Sequence, residues 1–212
     1  MISIIDYDAG NIKSVEKAIN FLGEEAEITS DKDRIMASDG VILPGVGAFG
    51  VAMDKLRARD LVETIKEYVS TGKPFLGICL GLQLLFDESD ETPGVKGLGL
   101  LEGKIKRIPS EYADGSTLKV PHIGWNSIEI NPSSKLMKGI DNGSYVYFVH
   151  SFYLEAADIS DVIATTEYGV KIHAAVERDN IMATQFHPEK SSDIGLKILS
   201  NFIEMTKRVE GK

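Results

Sequence analysis

The first 80 residues alternate between short apolar runs and stretches of helical periodicity, and this alternation limits the possible folds more than any other feature of the chain. Ile2 to Tyr7 form an apolar run closed by DAGN, after which Ile12, Val15, Ala18, Ile19 and Leu22 recur at helical spacing up to Gly23. Further strands are predicted at Ala26 to Thr29 and at Val41 to Leu43, the latter stopped by the glycine-rich PGVGAFG. Leu61, Ile65, Tyr68 and Val69 mark a helix ending at Gly72, and Pro74 to Ile78 is the next apolar strand. Strands alternating with helices need right-handed crossovers, so an α/β fold is expected, with an open, mostly parallel sheet flanked by helices.

Beyond residue 95 the rhythm changes. Strands are predicted at Leu101 to Ile108, Ser127 to Ile130, Tyr145 to Val149, Val162 to Thr166, Val170 to Glu177 and Ile181 to Thr184, with few helices between them. They suggest an antiparallel extension of the sheet, and an amphipathic helix over 191–209 closes the chain. No linker, repeat or low-complexity stretch divides the 212 residues, so one domain over 1–212 is expected. The formal charge of −9 disfavours nucleic acid and anionic membranes, which need a dense positive face; Lys104, Lys106 and Arg107 are read as a solvated strand face. MISIIDYDAGN meets acidic residues too soon for a signal peptide, and no apolar run reaches the length of a membrane span. A lone cysteine makes no internal disulfide and the four histidines lack ligand spacing, so a cytoplasmic protein without a metal is expected.

That cysteine, Cys79, lies in PFLGICLGLQLLF where a strand meets a helix. Gly77-Ile78-Cys79-Leu80-Gly81 is the thiol counterpart of the nucleophile elbow, in which a sharp turn lifts the reactive side chain out of the sheet. The following helix would aim free N–H groups at the sulfur, an arrangement that favours a thiolate. A buried, inert cysteine is the competing reading. A second signal, QFHPEKSS, follows the apolar run IMAT. In an extended segment His187 and Glu189 project to one side about 6.6 Å apart, with Pro188 keeping His187 extended. Cys79 would then be the nucleophile, His187 its base and Glu189 the carboxylate that orients the imidazole. Oxyanion donors are sought at the N–H of Leu80 and in PGVG, Pro44 to Gly47, which is otherwise a simple turn.

PGVG, then GICLGLQ, then HPE, in that order and over nearly the whole chain, resembles the class I, or triad, glutamine amidotransferases, whose sheet is flavodoxin-like. The resemblance implies that Cys79 attacks the side-chain amide of L-glutamine, releasing ammonia and leaving a glutamyl thioester that water resolves to glutamate. It also implies that Val46 and Leu80 supply the oxyanion donors, and that Gly45, Gly47, Gln83 and the chain at His150, Ser151 and Phe152 hold the substrate. Within the family, IIDYDAGNIKSV, GLGLLEGKIKRI, KVPHIGWNSI and YVYFVHSFY are most similar to the subfamily serving histidine biosynthesis. Its members implicate a heterodimer with a separate (β/α)8 barrel synthase subunit that receives the ammonia. Asn11, Trp125, Tyr147 and Lys190 match the docking positions of that subfamily, though Trp125 and Tyr147 are also readable as core aromatics, Tyr147 about equally so. Where other members usually carry a double glycine, this chain has Val46, whose β-branch restricts the backbone, so a partner is expected to govern glutaminase activity. No cofactor is implied. The rival readings are a glutaminase subunit of another synthase, such as that making pyridoxal phosphate, and a non-enzymatic ligand-binding α/β module.

Overall fold

The computed structural model describes residues 1–8 and 10–207. Within them β1 (Ile2–Ile5), α1 (Ile12–Phe21), β2 (Ala26–Thr29), α2 (Lys32–Ala37), β3 (Gly40–Gly45), α3 (Phe49–Ala58), α4 (Leu61–Ser70), β4 (Phe75–Cys79) and α5 (Leu80–Leu84) build the first part of the chain. There follow β5 (Glu88–Ser89), β6 (Gly103–Arg107), β7 (His122–Ser127), β8 (Glu129–Ile130), β9 (Tyr145–His150) and β10 (Phe152–Ala156). The chain closes with β11 (Val162–Tyr168), β12 (Val170–Arg178), β13 (Ile181–Thr184) and α6 (Ser192–Lys207). Residues 208 and 209 of the expected last helix, and Ala9 of the DAGN turn, lie outside the described residues.

The main sheet has the order β2-β1-β3-β4-β13-β12-β11-β8. Its first five strands are parallel and the rest antiparallel. β1, β3, β4 and β13 are buried at every residue, because helices cover both faces and each strand must be apolar on both sides. Alternate residues feed two cores. Val41, Leu43 and Phe75 pack with Ile35 of α2, Met53 of α3, Ile65 of α4 and Leu82 of α5. Ile42, Leu76 and Ile78 pack with Val15 of α1 and with Leu199 and Phe202 of α6 on the opposite side. Gly23 (φ 82°) and Gly72 (φ 77°) end α1 and α4 in the left-handed conformation that closes a helix.

Several expectations need correction. α2 and α3 were not predicted. α2 buries only Ile35 and so shows no apolar period, although Asp31 caps it by accepting from Arg34 N at 3.0 Å. α3 begins inside PGVGAFG, where the glycines read as a loop; Gly50 is needed there because a Cβ would lie 2.7 Å from Thr92 Cγ2. β10 was also missed. The antiparallel extension consists only of β12, β11 and β8, whereas β6 joins β10 and β5 in a separate three-stranded sheet and β9 pairs with β7 as a two-stranded ribbon. The expected strand from Ser127 to Ile130 divides between β7 and β8, which belong to different sheets. A strand's own pattern shows which of its faces is buried but not which strand it pairs with.

Candidate active site

The carboxyl ends of β1, β3, β4 and β13 meet at one edge of the sheet, where open α/β folds bind ligands. Cys79 ends β4 with φ 55° and ψ −106°, a strained backbone for a residue with a side chain, and α5 starts at the next position. The flanking glycines permit this turn. A Cβ at Gly81 would run into the carbonyl oxygen of Leu43, and one at Gly77 would lie 2.8 Å from Gly81 O. β3 runs alongside in parallel with Gly45 opposite Cys79, which brings Val46 and Gly47 next to the elbow.

β13 lies on the other side of β4, with Thr184 opposite Ile78, so the chain leaving β13 carries His187 to the same edge. His187 is extended (φ −96°, ψ 98°), as Pro188 requires. From Pro188 the chain makes a 3-10 turn rather than continuing straight, and this turn brings Glu189 Oε1 to 2.8 Å from His187 Nδ1. The pair expected from an extended segment therefore forms, by a tighter geometry. Both side chains are buried, at 1% and 0% exposure. The ring's backbone is fastened as well: His187 N donates to Tyr147 O at 3.0 Å, and Ser191 Oγ donates to His187 O at 2.6 Å.

Because Nδ1–H faces the carboxylate, Nε2 is the nitrogen left for chemistry, and it has no hydrogen-bond partner among the described residues. Burial pulls the imidazole down, but contact with the Cys79 thiol and the hydrogen bond with Glu189 outweigh it and raise His187 to about 9. The thiol lies beside the ring without a well-formed hydrogen bond to it, approaching Val149 O at 4.0 Å and accepting from Gln185 Nε2 at 3.8 Å. Loose contacts of this kind are usual before substrate binds.

A cavity of about 280 Å³ opens over the sulfur, lined by Val46, Gly47, Leu80, Gln83, Ser151 and Phe152 among others. Glu91, Pro121, Val149 and His150 complete its wall. Gly45 does not line it: this glycine is packed below, where a Cβ would collide with the Tyr7 hydroxyl and crowd Leu80 Cβ at 3.0 Å. The His150 ring is turned into the protein, with Nδ1 2.8 Å from Phe152 O and Nε2 3.0 Å from His122 Nδ1. Burial holds both rings neutral, His150 at about 3 and His122 at about 4.

The positions expected to dock a partner divide. Trp125, 52% exposed, packs edge-on against Tyr147 at 6.1 Å, and Lys190 Nζ lies 5.9 Å from the Tyr147 ring centre. Trp125 is therefore not a core aromatic, and Tyr147 is half-buried. Asn11 instead turns inward, its Nδ2 donating to Glu189 Oε1 at 2.5 Å. Sequence reasoning missed Glu91, which stands in a run of acidic residues without a distinguishing signal, and Gln185, which stands in the open beside the His-Pro-Glu unit.

Comparison with known proteins identifies a family. The profile of the glutamine amidotransferase class-I family matches residues 3–205. The chain is 50% identical to imidazole glycerol phosphate synthase subunit HisH of Syntrophotalea carbinolica, over 97% of this chain and 100% of that one. It is 51% identical to the subunit of the same name from Methanothermobacter thermautotrophicus, over 97% and 98%. Among solved structures it resembles a glutamine amidotransferase (TM-score 0.75, 18% identity, 97% and 98% covered). It also resembles PurLQS of Thermotoga maritima (TM-score 0.72, 19% identity, 96% and 97% covered).

Proposed function

The chain belongs to the class I glutamine amidotransferases, and from that premise we propose that it is the glutaminase subunit of an imidazole glycerol phosphate synthase, working in the cytoplasm with a separate (β/α)8 barrel subunit. The observation that carries the reading is that Cys79, which lines a cavity of about 280 Å³ suited to a single amino acid, also contacts the ring of the His187–Glu189 pair.

Cys79 Sγ attacks the side-chain amide carbon of glutamine, and the new C–S bond pushes electrons onto the amide oxygen. The N–H groups of Leu80 and Val46 receive that oxyanion. His187, which has taken the thiol proton, returns it to the amide nitrogen as the C–N bond breaks and ammonia leaves. The same ring then deprotonates water, which attacks the thioester, and glutamate departs as the thiol is restored. Glu189 holds the ring through Nδ1–H, and Asn11 braces Glu189. In the cavity wall Glu91 offers the negative charge that the substrate's ammonium requires. The exposed Trp125, the half-buried Tyr147 and Lys190 give the barrel subunit an aromatic and basic surface close to this site.

The test combines two measurements. A glutamine-like electrophile should add mass at Cys79 alone, and ammonium release should be low for the purified chain and rise sharply with the barrel subunit and its ligand. Undiminished turnover in Cys79→Ala would sink the mechanism, whereas equal rates with and without the barrel would remove only the partner's control.

A further inference from the structure

We propose that Gln185 is a further catalytic residue, whose side-chain N–H donates to the sulfur of Cys79 and stabilises it as a thiolate. Gln185 follows β13 directly and is fully buried, with its backbone N–H bound to Ala174 O at 2.8 Å. Its side chain bridges two groups: one amide atom lies 3.1 Å from the amide of Gln83, and the other 3.8 Å from Cys79 Sγ.

The orientation of this amide follows from its surroundings. Phe152 O is a carbonyl and can only accept, so the Gln83 atom 3.1 Å from it must be Nε2. That nitrogen has only donors, so the Gln185 atom it meets must be Oε1. The Gln185 atom facing the sulfur is then Nε2, a donor. Both hydrogens of Gln83 Nε2 are committed in this way, which leaves its Oε1 for the cavity.

A second set of contacts anchors the same carbonyl. His150 Nδ1–H also donates to Phe152 O, so His150 Nε2 must accept from His122 Nδ1–H. Asn126 Nδ2 lies 3.4 Å from the remaining nitrogen of His122. The direction of every bond from Asn126 to the sulfur is thus determined, and each side chain in the series except the half-exposed Asn126 is buried. A hydrogen bond to a charged acceptor is stronger than one to a neutral acceptor, so this donor favours the thiolate over the thiol. The burial that keeps His122 and His150 neutral is consistent with the series, since a second proton on either ring would reverse a bond within it.

The inference rests on reading Cys79 as the nucleophile, but its test needs no glutamine. As the chain's single cysteine, Cys79 can be alkylated with iodoacetamide across a range of pH, in wild type and in Gln185→Met, which keeps the side chain's length and lacks the donor. Near neutral pH the variant should react roughly tenfold more slowly, with the two rates converging above about pH 10, where a thiolate forms unaided. Equal rates throughout in a variant that retains the wild-type urea midpoint would overturn the proposal. So would a slowing by the same factor at every pH, since that reports access rather than ionisation. Should Gln185→Met fail to fold, nitrogen-labelled glutamine in the wild-type chain decides the matter. The Gln185 side-chain resonance should move with the midpoint of alkylation, and a resonance unchanged through that range would overturn the proposal. Absent glutamine turnover in wild type supplied with the barrel subunit and its ligand would sink the nucleophile reading, while this pH profile is judged by its own outcomes.

Discussion

The parallel half of the sheet and the β7–β9 ribbon contribute to one site in opposite ways. β4 and β13 are buried on both faces between helices, and they deliver Cys79 and His187 from adjacent, hydrogen-bonded strands. The ribbon has one protected face, carrying His122, Val146, Phe148 and His150, and one open face carrying Ile123, Trp125 and Tyr145. It is attached near the site by Phe148 against Phe186 at 5.8 Å, and by Tyr147, whose N–H donates to Ser191 Oγ and whose carbonyl accepts from His187. The reacting groups thus sit at the ends of strands buried on both faces, while the exposed aromatic face sits on an element whose backbone holds the His187 turn.

Three experiments would break or sharpen this contrast. The largest effect is expected at the elbow: in Gly81→Ala the new methyl runs into the Leu43 carbonyl, and the loss should be about 3 kcal/mol or more in urea denaturation, with turnover lost too. A loss under about 1 kcal/mol would mean that the parallel half yields more easily than its packing implies.

The second contrast is pH. His122 and His150 have folded values of about 4 and about 3, below the ordinary 6.5, so the unfolded chain binds more protons. Their cost is absent well above 6.5 and grows as pH falls toward those values, by about 1–2 kcal/mol for each ring at roughly pH 5. His187, raised to about 9, has the opposite sign: its contribution is full below 6.5 and is lost as pH rises through 9. Hydrogen exchange in mild acid should therefore open the ribbon before the parallel strands. Simultaneous opening of both would show that the two regions are not separable in stability.

The smallest effect on the fold is expected from Trp125→Ala. Removing this exposed ring should change stability by less than about 0.5 kcal/mol, yet weaken binding of the barrel subunit about tenfold or more in a titration. An unchanged affinity would move the docking surface away from the ribbon.

Legibility in the sequence divides along similar lines. β2 and β13 were read to the residue, and α1 and α4 closely, because apolar runs and glycine stops are local signals. The elbow was legible because a turn that needs glycine at 77 and 81 writes itself in three neighbouring positions. α2 was hidden by its single buried residue and α3 by Gly50, a glycine serving close packing rather than a turn. The inward turn of Asn11 could not be read, since its acceptor lies 178 positions away.

The sequence by itself determined the alternating architecture, the strained cysteine and the adjacency of His187 and Glu189, all of which depend on residues a few positions apart. Only the tertiary structure decided that β13 lies beside β4, that β7 and β9 leave the main sheet, and that Gln185 reaches the sulfur. Local chemistry fixes backbone conformation and which faces must be buried, but the choice of partner is made by the packing of distant surfaces, which no short stretch of chain encodes.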